Sequence, residues 1–230
     1  MVLHKPAMKQ ILVFLSSIEM PSRNVLLKSG DLRSYQKQLT EFMSQKEVPM
    51  LPKKELYTSD DYWNLPEGER AELINGQFYA MAPPSRIHQE LVMELSATLR
   101  DYIKSHGGNC KVYPSPFAVN LDAEDKNWVE PDISVICDKS KLTDRGCSGA
   151  PDLIVEIVSP SSRKMDYVWK AGLYMDAGVR EYWIVDPVKE CTTKYHFEED
   201  SAPVIVPFSA ELKAEIYQKQ FSICIAGLLE

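Results

Sequence analysis

Two acidic residues stand where an acid is expensive. Glu156 lies in Asp152-Leu153-Ile154-Val155-Glu156-Ile157-Val158, between branched apolar residues. In an extended chain the side chains alternate, so Leu153, Val155 and Ile157 point one way and Ile154, Glu156 and Val158 the other. Both faces are apolar, and the segment reads as buried. An ionised carboxylate there is costly unless it is paired or binds a metal. Asp132 opens a similar run, Ile133-Ser134-Val135-Ile136, directly after Pro131. If the two strands are neighbours, both carboxylates converge on one oxygen-rich site suited to Mg²⁺ or Mn²⁺. Taken singly, Glu156 also reads as a core carboxylate paired with Arg or Lys, and Asp132 as a turn residue beside a proline. In matching strand contexts, the pair favours the metal reading.

Hydrolysis at a metal also needs a cation near the attacking water or the leaving oxygen. Lys170 sits mid-helix in Tyr167-Val168-Trp169-Lys170-Ala171-Gly172-Leu173-Tyr174, where an arbitrary lysine is a solvated one. Glu72, between Ala71 and Leu73, reads either as a further acid of the site or as a half-exposed strand residue. His88, in Ser85-Arg86-Ile87-His88-Gln89, is placed either to meet a phosphate at a helix N-terminus or to cap that helix. The chain has no G-x-S-x-G elbow, no Gly-rich phosphate loop and no H-E-x-x-H. Paired carboxylates also serve glycosidases, but no aromatic-lined, long-loop cleft accompanies them here.

The elements that must position these residues follow from periodicity and punctuation. Thr58-Ser59-Asp60-Asp61 is a helix start, and Asn75-Gly76 between two β-favouring runs predicts a tight hairpin. Ile87, Leu91, Leu95, Leu99 and Tyr102, with Val92, Thr98 and Ile103, give one apolar stripe on a helix over Arg86–Lys104, ended by Gly107-Gly108. Strands are expected over about Cys110–Leu121, Val129–Cys137 and Asp152–Val158. A helix over about Arg163–Ala177 follows, stopped by Gly178. Then come strands at Glu181–Val185 and Thr192–Phe197, with weaker β patterns near Val204–Phe208 and Phe221–Ile225. This order predicts an α+β (mixed α/β) domain with a central sheet flanked by helices.

The chain has 230 residues, 44% apolar and 26% charged, enough to fold around a sizeable core. No run approaches the ~18 apolar residues of a membrane-spanning helix. The net charge of −7 argues against a protein that coats nucleic acid through a broad basic face. It leaves room for an enzyme gripping nucleic acid locally beside a carboxylate cluster. Residues 1–50 are net basic and the rest is strongly acidic, so the chain divides into an N-terminal extension (1–50) and a domain (51–230). The extension is expected to be disordered or a lone helix. Its apolar stretch Ile11–Ile18 follows Lys5 and Lys9 but lacks a small-x-small cleavage site, and Met43 or Met50 is an alternative start. Cys110, Cys137, Cys147, Cys191 and Cys224 are odd in number and lack metal-finger spacing, which reads as reduced thiols in a cytoplasm.

Several strings recur together in a recognisable order. They are Tyr57-Thr58 with Asp61-Tyr62, Glu72-Leu73-Ile74-Asn75-Gly76, and Pro83-Pro84-Ser85 with His88. Glu130-Pro131-Asp132-Ile133-Ser134-Val135, Asp144-Arg145-Gly146, and Pro151-Asp152-Leu153-Ile154-Val155-Glu156-Ile157 continue them. Ser159-Pro160-Ser161, Lys170, Tyr174 and the run from Ala177 to Pro187 complete them. Tyr57 to Pro187 thereby resembles the Uma-two family, a branch of the PD-(D/E)XK restriction-endonuclease-like superfamily. The resemblance implies a restriction-endonuclease-like core, with a central mixed β-sheet flanked by helices. It implies a Mg²⁺-dependent (or Mn²⁺-dependent) endonuclease acting on DNA bound locally. Cutting both strands is commonly done by two active sites related by two-fold symmetry, which makes a homodimer an expectation. Asp132 and Glu156 would be the metal ligands, with the backbone carbonyl of Ile157 a third. The superfamily lysine two residues after the acid is absent, since Val158 stands there. In the family that lysine moves to the following helix, where Lys170 matches, and Glu72 matches the upstream acid. RNA as substrate stays open, as does a non-catalytic nucleic-acid-binding or interaction module that retains the fold.

Overall fold

The computed structural model describes residues 56–122, 125–199, 201–218 and 220–229. The extension over 1–50 lies outside the described residues. In chain order the elements begin with α1 (Ser59–Trp63), the hairpin β1 (Ala71–Ile74) and β2 (Gln77–Ala80), and α2 (Arg86–Ser105). Next come β3 (Lys111–Pro114), β4 (Val119–Asn120), β5 (Trp128–Val129), β6 (Ile133–Ile136), β7 (Leu142–Thr143), β8 (Gly146–Ser148) and β9 (Leu153–Ile157). A π-helical segment (Met165–Lys170) runs straight into α3 (Ala171–Ala177). The chain ends with β10 (Glu181–Asp186), β11 (Cys191–His196), β12 (Val204–Pro207), β13 (Glu211–Lys213) and β14 (Ser222–Cys224).

Local chemistry accounts for the boundaries. The Asp61 carboxylate accepts the Thr58 N–H at 2.9 Å and closes the first turn of α1. Asn75 and Gly76 both take positive φ, 51° and 71°, as the two-residue turn between β1 and β2 requires. Ser85 caps α2 by accepting from the His88 N–H, and Gly178 ends α3 in the left-handed conformation at φ 89°. Leu91, Leu95, Leu99 and Ile103 form the buried stripe expected of α2. Ile87, one turn earlier, is exposed.

The strands form two six-stranded sheets and a ribbon. The first is ordered β2-β1-β5-β4-β8-β7, the second β12-β11-β10-β9-β6-β3, and β13 pairs with β14. Two runs expected as single strands each divide between the sheets. Pro114 and Pro116 interrupt Cys110–Leu121 into β3 and β4, and Pro131 interrupts Val129–Cys137 into β5 and β6, because proline cannot donate to a ladder. The segment Glu130-Pro131-Asp132 is therefore the crossing from one sheet to the other. In the second sheet β6 and β9 are antiparallel with Ile133 opposite Val155. β9 and β10 are parallel with Ile184 opposite Glu156, joined through the helix of residues 165–177, the long connection that a parallel pair needs.

The alternation read in β9 divides the core. Leu153, Val155 and Ile157 pack with α2 and the ribbon on one face of the second sheet. Ile154 and Val158 pack with Tyr174, Tyr182 and residues of the first sheet on the other. Glu156 belongs to this second face, at the junction between the sheets.

The cysteine reading needs one correction. Cys110 and Cys137 are joined by a disulfide, while Cys147, Cys191 and Cys224 are free. These two flank the Lys111–Ile136 cross-strand pair of β3 and β6, so the register sets them face to face. Sequence spacing carries no trace of that register. No helix among the described residues is long and apolar enough to cross a membrane.

Candidate active site

Six elements deliver groups to the junction. β1 brings Glu72, the β5–β6 crossing brings Glu130 and Asp132, and β9 brings Glu156 and the Ile157 peptide. The π-helical segment and α3 bring Asp166, Lys170 and Tyr174, and the first turn of α2 brings His88. The wide π-helical turn directs Asp166, Tyr167 and Lys170 inward, and all three are buried.

Lys170 links the acids. Its Nζ donates at 2.9 Å to Glu72 and at 2.9 Å to Glu156 Oε1, with Asp166 Oδ1 at 3.8 Å. The lysine is only 7% exposed, so it is not the solvated helix lysine of the default reading. The Tyr174 hydroxyl donates to the same Glu156 oxygen at 2.7 Å. The other oxygen, Oε2, lies 3.4 Å from the Asp132 N–H, which makes the two expected ligands neighbours. Asp132 Oδ2 accepts the Ile157 N–H at 2.7 Å and faces His88 Nε2 at 3.1 Å. Glu72 Oε1 also accepts the Glu130 N–H at 3.0 Å, and the Glu130 carboxylate is held by Tyr62 and Arg70.

All the residues expected from the sequence (Glu72, Asp132, Glu156, Ile157 and Lys170) thus meet in one place. Sequence reasoning passed over Asp166, whose signal is its position four residues before Lys170, a spacing that stacks acid and base on one helix face. It also missed that His88 turns inward, to Asp132, rather than outward to a ligand at the helix end.

Residues 59–223 match the family model Uma2, described as "Putative restriction endonuclease". The chain belongs to the Uma2 family. It is 27% identical over 155 residues to the "Uncharacterized protein slr1290" of Synechocystis sp., covering 67% of this chain and 80% of that protein. It is 28% identical over 134 residues to the "Uncharacterized protein sll1609" of the same organism, covering 57% of this chain and 73% of that protein. In fold it is similar to the crystal structure of "a putative nuclease belonging to DUF820" from Anabaena variabilis, with a TM-score of 0.62 at 18% identity. That similarity covers 75% of this chain and 97% of the other. The family and the restriction-endonuclease-like α+β fold support a nuclease function.

The electrostatics of this Uma2 site are unbalanced. Burial pushes the Glu156 carboxyl well above its ordinary range, with the Lys170 ammonium opposing and Asp132, Asp166 and Glu72 adding to the rise. Burial likewise pushes Asp166 up to about 6, again against Lys170. For Lys170 burial acts downward, but Glu156, Glu72 and Asp166 together raise it well above the usual lysine value, so it stays charged. Burial would lower His88 too, but its hydrogen bond to Asp132 and the nearby carboxylates raise it.

Glu72, Asp132, Glu156 and Asp166 face one lysine and one histidine. This surplus of hard oxygen donors fits a divalent cation, which would offset buried negative charge that the protein leaves uncompensated. No three His, Cys, Asp or Glu side chains among the described residues form a ready-made cage.

Proposed function

We propose that the chain is a divalent-metal-dependent endonuclease that hydrolyses DNA phosphodiester bonds, with Mg²⁺ or Mn²⁺ held by Asp132, Glu156 and the Ile157 carbonyl. The observation that carries this reading is the buried Lys170, 2.9 Å from Glu156, beside an Asp132 that adjoins the same carboxylate. A bound divalent ion supplies Lewis-acid charge to the scissile phosphate and lowers the pKa of a water.

The chain's own residues do the positioning. Tyr174 and Lys170 hold Glu156 Oε1, which leaves Oε2 directed at the Asp132 side. The Ile157 N–H fixes Asp132 through Oδ2. Glu156, Glu72 and Asp166 together supply the counter-charge that keeps Lys170 protonated and in place. The charged Nζ then stands where it can hold an attacking water by hydrogen bonding or offset charge on the phosphate as it develops. Glu130, fixed by Tyr62 and Arg70, secures Glu72 through its backbone N–H.

The test is cleavage of supercoiled plasmid and single-stranded DNA with Mg²⁺, Mn²⁺ or EDTA, with Asp132→Ala and Glu156→Ala alongside. Metal-dependent nicking that falls by at least ~100-fold in both variants is expected, as for loss of a group that stabilises the transition state. Equal nicking by wild type and variants would refute the site. Binding without cleavage under every condition would identify a non-catalytic module, and cleavage confined to RNA would reassign the substrate.

A further inference from the structure

The chain has four tryptophans, and three of them serve the fold. Trp128 and Trp183 are buried, and their indole N–H groups donate to Ser59 and Glu181. Trp63 is partly exposed, but its ring is engaged: Tyr62 and Trp128 meet it edge-on with centroids 5.1 Å away, and the Arg145 guanidinium lies 5.2 Å over it. Trp169 differs. It is 39% exposed, and the one aromatic ring beside it is that of Tyr79, at 6.4 Å and a tilt of 58°. Neither its indole N–H nor the Tyr79 hydroxyl has a hydrogen-bond partner among the described residues. An indole left in water forfeits the apolar burial and the N–H partner that such a side chain normally finds.

The position of this pair gives it a use. Trp169 directly precedes Lys170, and Tyr79 on β2 is paired in register with Glu72 on β1. Residues directly opposite in a ladder share a face of the sheet, so Tyr79 stands on the same side as Glu72. Lys170 Nζ and Glu72 are joined at 2.9 Å. The two aromatics therefore flank this buried ion pair where the site meets solvent. A chain of net charge −7 has little broad positive surface with which to hold a phosphate backbone. Stacking needs no charge, and every base has a π face to offer. That face is free only where the base is unstacked, as in a single strand or a locally opened duplex.

We infer that Trp169 and Tyr79 form a stacking platform for an unpaired base beside the scissile phosphate, which makes single-stranded or locally unpaired DNA the preferred substrate over intact duplex. This rests on the nuclease reading above. The nucleotide carrying that base lies next to Lys170, the residue that the proposed function places at the reacting phosphate.

The experiment compares a fluorescent single-stranded DNA oligonucleotide with the duplex of the same sequence, using the full chain, Trp169→Ala, Trp169→Phe and Tyr79→Ala. Anisotropy titrations in Ca²⁺, a hard cation that takes the same oxygen donors, read affinity. Cleavage in Mg²⁺ or Mn²⁺ reads kcat and KM, and circular dichroism checks that each variant is folded. Wild type should prefer the single strand. Trp169→Ala should weaken single-strand affinity and raise KM by ~5- to ~100-fold, while duplex affinity stays within ~2-fold. Its slope of log affinity against log salt should equal that of wild type, because no phosphate contact is lost. Tyr79→Ala should act in the same direction but less, and Trp169→Phe, which keeps a π face, should recover most of the loss. A wild type that prefers duplex overturns the inference and leaves the nuclease reading standing. So does Trp169→Ala with unchanged single-strand affinity and KM, an equal loss on duplex, or Trp169→Phe as weak as Trp169→Ala. A wild type that neither binds nor cleaves either DNA overturns the nuclease reading and the inference with it.

Discussion

Glu156 and Asp186 lie near the C-terminal ends of neighbouring parallel strands, and both carboxylates are buried. Their surroundings differ in kind. Asp186 is saturated: Arg163 grips both of its oxygens, the Tyr167 hydroxyl donates at 3.1 Å, and the N–H groups of Val188 and Lys189 donate at 3.1 Å each. Burial acts to raise its carboxyl, but Arg163 and these donors outweigh it and hold the group below the ordinary range. Glu156 has Lys170 and Tyr174, and it shares that lysine with Glu72 and Asp166. One site is a closed arrangement that secures the turn after β10. The other carries uncompensated charge. A buried carboxylate matched in charge and hydrogen bonds reads as structural, and one left in surplus reads as built for a cation that arrives later.

The most severe break in this contrast is Lys170→Met. Glu72, Glu156 and Asp166 would lose their shared ammonium, at a cost of about 3–5 kcal/mol. Calorimetry should then show a Tm lower by about 10 °C at neutral pH. An unchanged Tm would mean that the lysine is not the balancing charge. Asp186→Asn should cost less, about 1–3 kcal/mol, because Arg163 is partly exposed and can return to water. Cleavage per folded molecule should be unaffected, and a specific loss of activity would join the two regions that the comparison separates.

Glu156→Gln sharpens the contrast from the other side. It should abolish cleavage yet leave stability within about 1 kcal/mol of wild type or above it, because a neutral amide relieves the surplus charge. Destabilisation as large as that of Asp186→Asn would show Glu156 to be an ordinary structural acid. The smallest effect is on pH dependence. Asp186 has a depressed pKa, so its contribution is fully present above the unfolded value near ~3.9 and is lost as pH falls through the folded one. For Glu156 and for Asp166, the latter at about 6, the sign reverses. Here the folded state retains protons that the unfolded state has released, so stability declines as pH rises from about 4 through these raised values. Urea melts across that interval should show a shallower decline in Glu156→Gln, and an identical slope would remove Glu156 as its source.

Much of this was legible in the chain. The β9 alternation, the Asn75-Gly76 turn, the stripe of α2 and the stop at Gly178 follow from local sterics and periodicity, and each appears in the structure. The cost of an acid inside an apolar strand singled out Glu156 before any contact was known. Resemblance to a family, rather than spacing, singled out Lys170 and Glu72.

What only the tertiary structure decided depends on contacts between residues far apart in the chain. The runs containing prolines 114, 116 and 131 read as single strands in the sequence, and only the assembled sheets turned those prolines into breaks and a crossing that carries Asp132 to Glu156. Lys170 became a buried cation because the π-helical segment packs toward β1, 98 residues earlier at Glu72. The Cys110–Cys137 bond arose from the register of β3 against β6, and the inward turn of His88 from the docking of α2 beside Asp132. Local sequence sets backbone conformation and which faces must be buried, because sterics and hydration act over a few residues. Pairing of charges across elements is set by packing, which no short window of sequence contains.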